Sequence, residues 1–322
     1  MIEYIFLIIG FVLLIKGADF LVEGASSIAK RMGISALVIG LTIVAFGTSA
    51  PELIVNIFAS INGNTDIAIG NILGSNIANI LLILGISAII YPLTVTRGTV
   101  WKEVPFSLLA IAVVAFMAND AFFDGLPFSS LTRSDGLVLV SFFAIFLYYT
   151  YGISKVEGAS GDVQVKAMSK VKSIVWIILG LVGLTIGGKW IVDAAVFIAS
   201  SLGVSQALIG LTVVAIGTSL PELATSAVAA FKKNPDIAVG NIVGSNIFNI
   251  FWILGVSSII SSLPFSLSLT RDVLMTVLAT LLLFAFMFVG KKHMLERWQG
   301  FVFILLYIIY IVWIVFVEVK VI

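Results

Sequence analysis

The chain has 322 residues, of which 60% are hydrophobic and only 11% charged, with a mean hydropathy of +1.19. A soluble domain carries roughly 25% charge, so the composition excludes an ordinary soluble fold and implies a polytopic membrane protein. Net charge is +1, the basic residues are scattered among loops rather than gathered in a nucleic-acid-binding patch, and there is no cysteine for a disulfide framework or thiolate chemistry.

Ten stretches of about 20 apolar residues fit between polar breaks, each long enough to cross a bilayer as a helix. They centre on residues 3–25, 36–60, 67–91, 100–118, 135–152, 173–196, 206–230, 237–260, 272–290 and 298–317. The first begins at the N-terminus, which lacks the basic region and cleavage site of a signal peptide. With the N-terminus outside, thirteen Lys and Arg fall in cytoplasmic loops and only Arg133, Arg271 and Lys320 outside, while Lys16 and Lys189 lie within spans. That bias matches the positive-inside pattern and puts both termini outside. The sole histidine, His293, sits in a basic run and reads as a solvated loop residue.

Residues 40–90 and 210–260 are two copies of one sequence at a constant offset, with about thirty of the fifty-one aligned pairs identical. Five spans in each half is an odd number, so the second copy enters the membrane from the opposite face. The expected fold is therefore an all-α membrane protein of ten helices in two inverted five-helix repeats. The halves are residues 1–152 and 173–322, joined by a short polar linker over 153–172. Such repeats are typical of secondary transporters, whose ion sites lie at the repeat interface near mid-membrane.

Spans 2 and 7 carry Gly47-Thr48-Ser49-Ala50-Pro51-Glu52 and Gly217-Thr218-Ser219-Leu220-Pro221-Glu222. Proline supplies no N–H and clashes with the carbonyl four residues back, where each copy has glycine. The pattern predicts two broken helices, with carbonyls freed over Ala45–Thr48 and Ala215–Thr218. Each break is followed by a glutamate inside an apolar run, a burial that costs several kcal/mol and marks a functional site. Spans 3 and 8 add Gly70-Asn71 with Gly74-Ser75-Asn76 and Asn79, echoed by Gly240-Asn241 with Gly244-Ser245-Asn246 and Asn249. Ser75 and Asn79 share one helix face, as do Ser245 and Asn249. The glycines permit close packing of a neighbouring backbone. Asn71, Asn76, Asn241 and Asn246 occupy other faces, as further ligands or as hydrogen-bonding glue between helices.

Both halves together offer two carboxylates, hydroxyls, amides and carbonyls, all hard oxygen ligands without imidazole or sulfur. Such a set suits calcium or sodium rather than zinc or copper. Ions that share two carboxylates compete, which is the physical basis of exchange. A proton/calcium exchanger is the close rival, a passive cation channel is a different class, and an enzyme lacks a suitable nucleophile or base. Asp66 and Asp236 read as acids at helix N-termini. Asp19, Glu23 and Asp193 read as paired or snorkelling charges, with Lys16 and Lys189 as candidate partners and an ion-access role as the alternative. Trp101 and Trp298 read as interfacial anchors.

The duplicated Gly-Thr-Ser-x-Pro-Glu and Gly-Asn-x-x-Gly-Ser-Asn-x-x-Asn motifs resemble the α-repeats of the sodium/calcium exchanger family. The resemblance implies antiport of sodium for calcium by alternating access in a cell (inner) membrane protein, with no cofactor, with the ions and the bilayer as partners and no nucleic acid, and with the oligomeric state left open. It implies calcium ligation by Glu52, Glu222 and the carbonyls of Thr48 and Thr218. Sodium would use the Ala45 carbonyl, Thr48, Ser49, Ser75 and Glu222 on one side, and Glu52, Ala215, Thr218, Ser219 and Ser245 on the other. Asn79 and Asn249 would flank the centre, and spans 1 and 6 would slide as gates. Several members carry aspartate at one of the two positions held here by Asn79 and Asn249, so this chain has two candidate carboxylates rather than three. It also lacks the large cytoplasmic regulatory loop of animal relatives.

Overall fold

A computed structural model describes residues 2–155, 168–202 and 215–319. The chain is helical almost throughout: α1 Ile2–Met32, α2 Ala36–Thr48, α3 Ala50–Ile61, α4 Thr65–Ile90, α5 Thr99–Met117, α6 Asp120–Phe123 and α7 Arg133–Ser154. It continues with α8 Lys170–Ser201, α9 Ala215–Thr218, α10 Leu220–Phe231, α11 Pro235–Ile260, α12 Leu267–Phe286 and α13 Arg297–Val319. Among the described residues, eight helices are long and apolar enough to cross a bilayer. The α2–α3 pair brings the number to nine if it is one bent span. The predicted span over 206–230 falls partly on residues 203–214, and the predicted linker largely on 156–167, both outside the described residues.

Local chemistry sets the ends of several elements. Thr132 and Asp135 exchange hydrogen bonds as a capping box at the start of α7. Ser35 and Ser169 accept amides at the starts of α2 and α8. Asp66 and Asp236 lie in the first turns of α4 and α11, as expected for acids facing a helix N-terminus. Among the described residues, four π-helical stretches interrupt the α geometry, at Gly40–Val44, Ala78–Leu84, Thr99–Glu103 and Phe248–Leu254. Two are repeat mates, and they start one residue before Asn79 and Asn249. Irregular helical turns of this kind commonly occur at functional sites.

The α1 and α8 helices pack antiparallel along small residues spaced seven apart, with Gly10 against Gly187, Gly17 against Gly180 and Gly24 against Ser173. A Cβ at Gly17 would lie 2.7 Å from the Leu184 amide nitrogen and 2.8 Å from the Gly180 carbonyl oxygen, so only glycine allows this approach. The α4 and α11 helices form the centre: 78% and 83% of their apolar windows are buried, against 28–39% for the other six spans. Gly240 and Gly244 let α11 close on α2, where an added Cβ would meet the Leu37 and Leu41 carbonyls at 2.8 and 2.7 Å. Their mates Gly70 and Gly74 show no such contact among the described residues. The segment that would meet them by repeat, 207–214, lies outside those residues.

Two short strand pairs were not legible in the sequence. β1 Leu93–Thr94 pairs antiparallel with β4 Met294–Leu295, and β2 Ser130–Leu131 with β3 Leu263–Pro264. Each pair stitches a loop of the first half to a loop of the second. The first joins the loops that carry Arg97 and Lys291, and the second joins the loops near Arg133 and Arg271.

Candidate cation site

Helix α2 stops at Thr48 and α3 starts at Ala50 with a bend of 47°. The equivalent break between α9 and α10 falls at Ser219. Pro51 and Pro221 occupy the first turns of α3 and α10, where a missing N–H costs nothing, and each is followed by its glutamate in that same turn. A carboxylate there is favoured by the amide ends of the helix. Glu52 and Glu222 are each 1% exposed and lie within one another's electrostatic reach.

The structure corrects one expectation about the break. The Ala45 carbonyl is not freed: it accepts the Ser49 amide at 3.0 Å. The α-helical bonding therefore runs up to Ser49 rather than unwinding across the whole motif. Pro51 still withholds an N–H from the Gly47 carbonyl. In the second copy the Ser219 amide bonds the Ile216 carbonyl at 3.1 Å.

The predicted polar groups converge across the two halves. Glu222 Oε1 accepts from the Ser49 hydroxyl at 3.0 Å and from Ser245 at 3.4 Å. Ser219 donates to the Ser75 hydroxyl at 3.2 Å. Thr48, Ser49, Ser75, Ser219 and Ser245 are all buried, and Thr218 is half-buried. Among the described residues, both oxygens of Glu52 and Oε2 of Glu222 have no hydrogen-bond donor. Two buried carboxylates thus leave three oxygens unsatisfied, a costly arrangement unless a cation occupies the space between them.

Other residues take part that the motif analysis left open between ligand and glue. Thr48 donates to Asn241 Oδ1 at 3.0 Å, and Thr218 donates to Asn71 Oδ1 at 3.2 Å. Asn241 Nδ2 is held by the Ser226 hydroxyl at 3.0 Å and the Glu222 carbonyl at 3.4 Å. Asn56 donates to the Glu52 carbonyl at 3.0 Å and was not singled out in the sequence. Its repeat mate is Ser226, so the offset alone pairs these two second-layer groups. Asn79 and Asn249 bond across the interface to Asn246 and Asn76, both at 2.9 Å.

Several of the other charges singled out in the spans are paired. Lys189 bonds Asp193 at 2.8 Å, as anticipated. Asp19 and Glu23 pair with Lys232 rather than with Lys16. Trp101 is 55% exposed and packs its ring edge-on to Phe284 and Phe288, and Trp298 is 46% exposed, as suits anchors at a membrane interface.

A bundle of long apolar helices around two buried carboxylates and a ring of hydroxyls is the framework of an ion transporter. Known proteins narrow the class. The family described as "Sodium/calcium exchanger protein" matches residues 2–152 and 172–316, and the chain belongs to that family. It is 39% identical to "Putative antiporter CaxA" of Alkalimonas amylolytica over 96% of this chain and 98% of that protein. It is 33% identical to "Sodium/calcium exchanger MaX1" of Methanosarcina acetivorans over 97% and 98% of the two chains. The solved structure of the sodium-calcium exchanger NCX_Mj soaked with 2.5 mM Na+ and 0.1 mM Ca2+ matches with a TM-score of 0.84 at 36% identity. That match covers 97% of this chain and 98% of the other. The protein is a multi-pass membrane transporter of the cation/calcium exchange type, from a family of exchangers.

Proposed function

We propose that the protein exchanges sodium for calcium by alternating access, with both ions competing for the space between Glu52 and Glu222. The observation that carries this reading is the set of three unsatisfied carboxylate oxygens inside the bundle, bordered by hydroxyls and amides. Two carboxylates balance one divalent ion, and the oxygens of Thr48, Thr218, Asn79 and Asn249 extend the shell toward the six to eight that calcium takes. The carbonyls of Ala45 and Ala215, with Ser49, Ser75, Ser219 and Ser245, supply neutral oxygens for sodium on either side. The Ala45 carbonyl serves through its second lone pair, since one is already engaged.

The site would lie between two inverted halves, residues 1–152 and 173–322, joined by 153–172, each contributing five spans. The strand pairs support this layout, because each ties together loops that the charge sorting assigns to one face. The same sorting supports both termini outside, and the 37% identity to "Inner membrane protein YrbG" of Escherichia coli supports a cell (inner) membrane location. The α1–α8 pair, closely packed on glycine and lying against α10, suits a unit that moves over the core helices. Proteoliposomes loaded with sodium should take up 45Ca2+ when diluted into sodium-free buffer at equal pH inside and out. Uptake that follows an imposed pH gradient and ignores sodium would replace this reading with proton/calcium exchange.

A further inference from the structure

Four asparagines at the centre form a hydrogen-bonded quartet whose direction is determined by the backbone. The main-chain carbonyl of Asn246 can only accept, so the Asn76 group facing it at 3.3 Å is Nδ2. Asn76 Oδ1 is then turned toward Asn249 and accepts its Nδ2 at 2.9 Å. That leaves Asn249 Oδ1, which is buried and has no donor among the described residues. The mirror chain runs from the Asn76 carbonyl to Asn246 Nδ2 at 3.5 Å, and from Asn246 Oδ1 to Asn79 Nδ2 at 2.9 Å. It ends on Asn79 Oδ1, also buried and without a donor. All four residues are 1–2% exposed.

Asn79 follows Ser75 by one turn on α4, and Asn249 follows Ser245 by one turn on α11. Those serines belong to the hydroxyl ring at the glutamates, so the two free amide oxygens continue the same ligand face. An amide presented by its other end would offer two N–H donors and repel a cation. We infer that Asn76 and Asn246 are positioning residues that hold Asn79 and Asn249 with their carbonyl oxygens toward the bound cation, giving the centre a neutral pair of acceptors that neither titrates nor flips. This rests on the cation-exchange reading above and adds how its central position is oriented. Each half orients the amide of the other half, so the quartet also couples the two repeats at the site.

The test is a double-mutant cycle on the purified full-length protein, read by equilibrium 45Ca2+ binding with thermal stability as a control. Asn246→Ala should weaken calcium binding about tenfold, the scale of one lost hydrogen-bond-type contact to a charged group. Asn79→Ala should weaken it comparably, and the double variant should be no worse than Asn79→Ala alone, because Asn246 acts through Asn79. Asn76→Ala with Asn249→Ala repeats the cycle in the mirror half. Wild-type affinity in both Asn246→Ala and Asn76→Ala overturns the inference, as do fully additive losses. Failure of both variants to fold also overturns it, because the quartet would then be a structural brace. If the unmodified protein binds no calcium, the cation-exchange reading itself falls.

Discussion

Replacing Glu52 with glutamine keeps the volume and one oxygen of the side chain while removing its charge. Glu52 is 1% exposed with no donor to either oxygen, whereas Glu222 holds the hydroxyls of Ser49 and Ser245 on one of its own. A unit charge at 4 Å from another is worth about 4 kcal/mol at an effective dielectric of 20, so a divalent ion gains about 8 kcal/mol from this carboxylate. If desolvation offsets half of that, about 4 kcal/mol remains, or close to three orders of magnitude in calcium affinity. The charge that attracts the ion also destabilises the ion-free protein. Thermal unfolding of detergent-purified protein should therefore show Glu52→Gln melting above the unmodified chain in chelator with no sodium. Calcium at a hundred times its dissociation constant should add about 2.7 kcal/mol to the unmodified protein and nothing measurable to the variant. A Glu52→Gln protein that keeps the calcium-dependent rise in melting temperature would refute this reasoning.

Other substitutions separate the parts of the account. Ser49→Ala and Ser245→Ala each remove a hydroxyl from Glu222 Oε1, and each should raise the half-saturating sodium concentration several-fold, matching about 0.5–1.5 kcal/mol per hydrogen bond. Sodium titration of calcium uptake measures that shift. Gly17→Leu should destabilise the α1–α8 pair by at least about 1–3 kcal/mol, because even a Cβ meets backbone at 2.7 Å. Gly152→Ala, with open space around it, should be neutral or slightly stabilising, and melting temperatures compare the two. The chain has no cysteine, so single replacements report topology cleanly. Phe122→Cys should react with an impermeant thiol reagent from outside the cell and Lys233→Cys only from the cytoplasm.

Much of the site was legible because the repeat supplies an internal comparison. One glutamate in an apolar run is ambiguous, but Glu52 and Glu222 at matching positions beside proline and hydroxyls define a pair. The breaks at Ser49 and Ser219 followed from the chemistry of Pro51 and Pro221. The fate of the Ala45 carbonyl did not, because the missing N–H belongs four residues after Gly47 and leaves the Ser49 amide free to bond it. The expectation set Asn71, Asn76, Asn241 and Asn246 off the Ser75 and Ser245 face, yet Asn71 and Asn241 lie one turn before those serines on it. Periodicity also carries no information about which helix lies opposite. Packing of α4 on α9 and of α11 on α2 makes Asn71 and Asn241 partners of Thr218 and Thr48, and crossing of α4 and α11 makes Asn76 and Asn246 partners of Asn249 and Asn79. Lys232 was assigned only to a cytoplasmic loop, and its pairing with Asp19 and Glu23 depends on how α1 lies against the end of α10. The two-residue strands lie below the length at which alternation can be read.

The most direct measurement is calcium flux in proteoliposomes of the purified protein, with the sodium gradient as the only driving force and pH and membrane potential clamped. The account predicts 45Ca2+ uptake that rises with internal sodium, reverses when the gradient is reversed, and vanishes in both Glu52→Gln and Glu222→Gln. Calcium movement that proceeds without a counter-ion, or that survives loss of either glutamate, would contradict it.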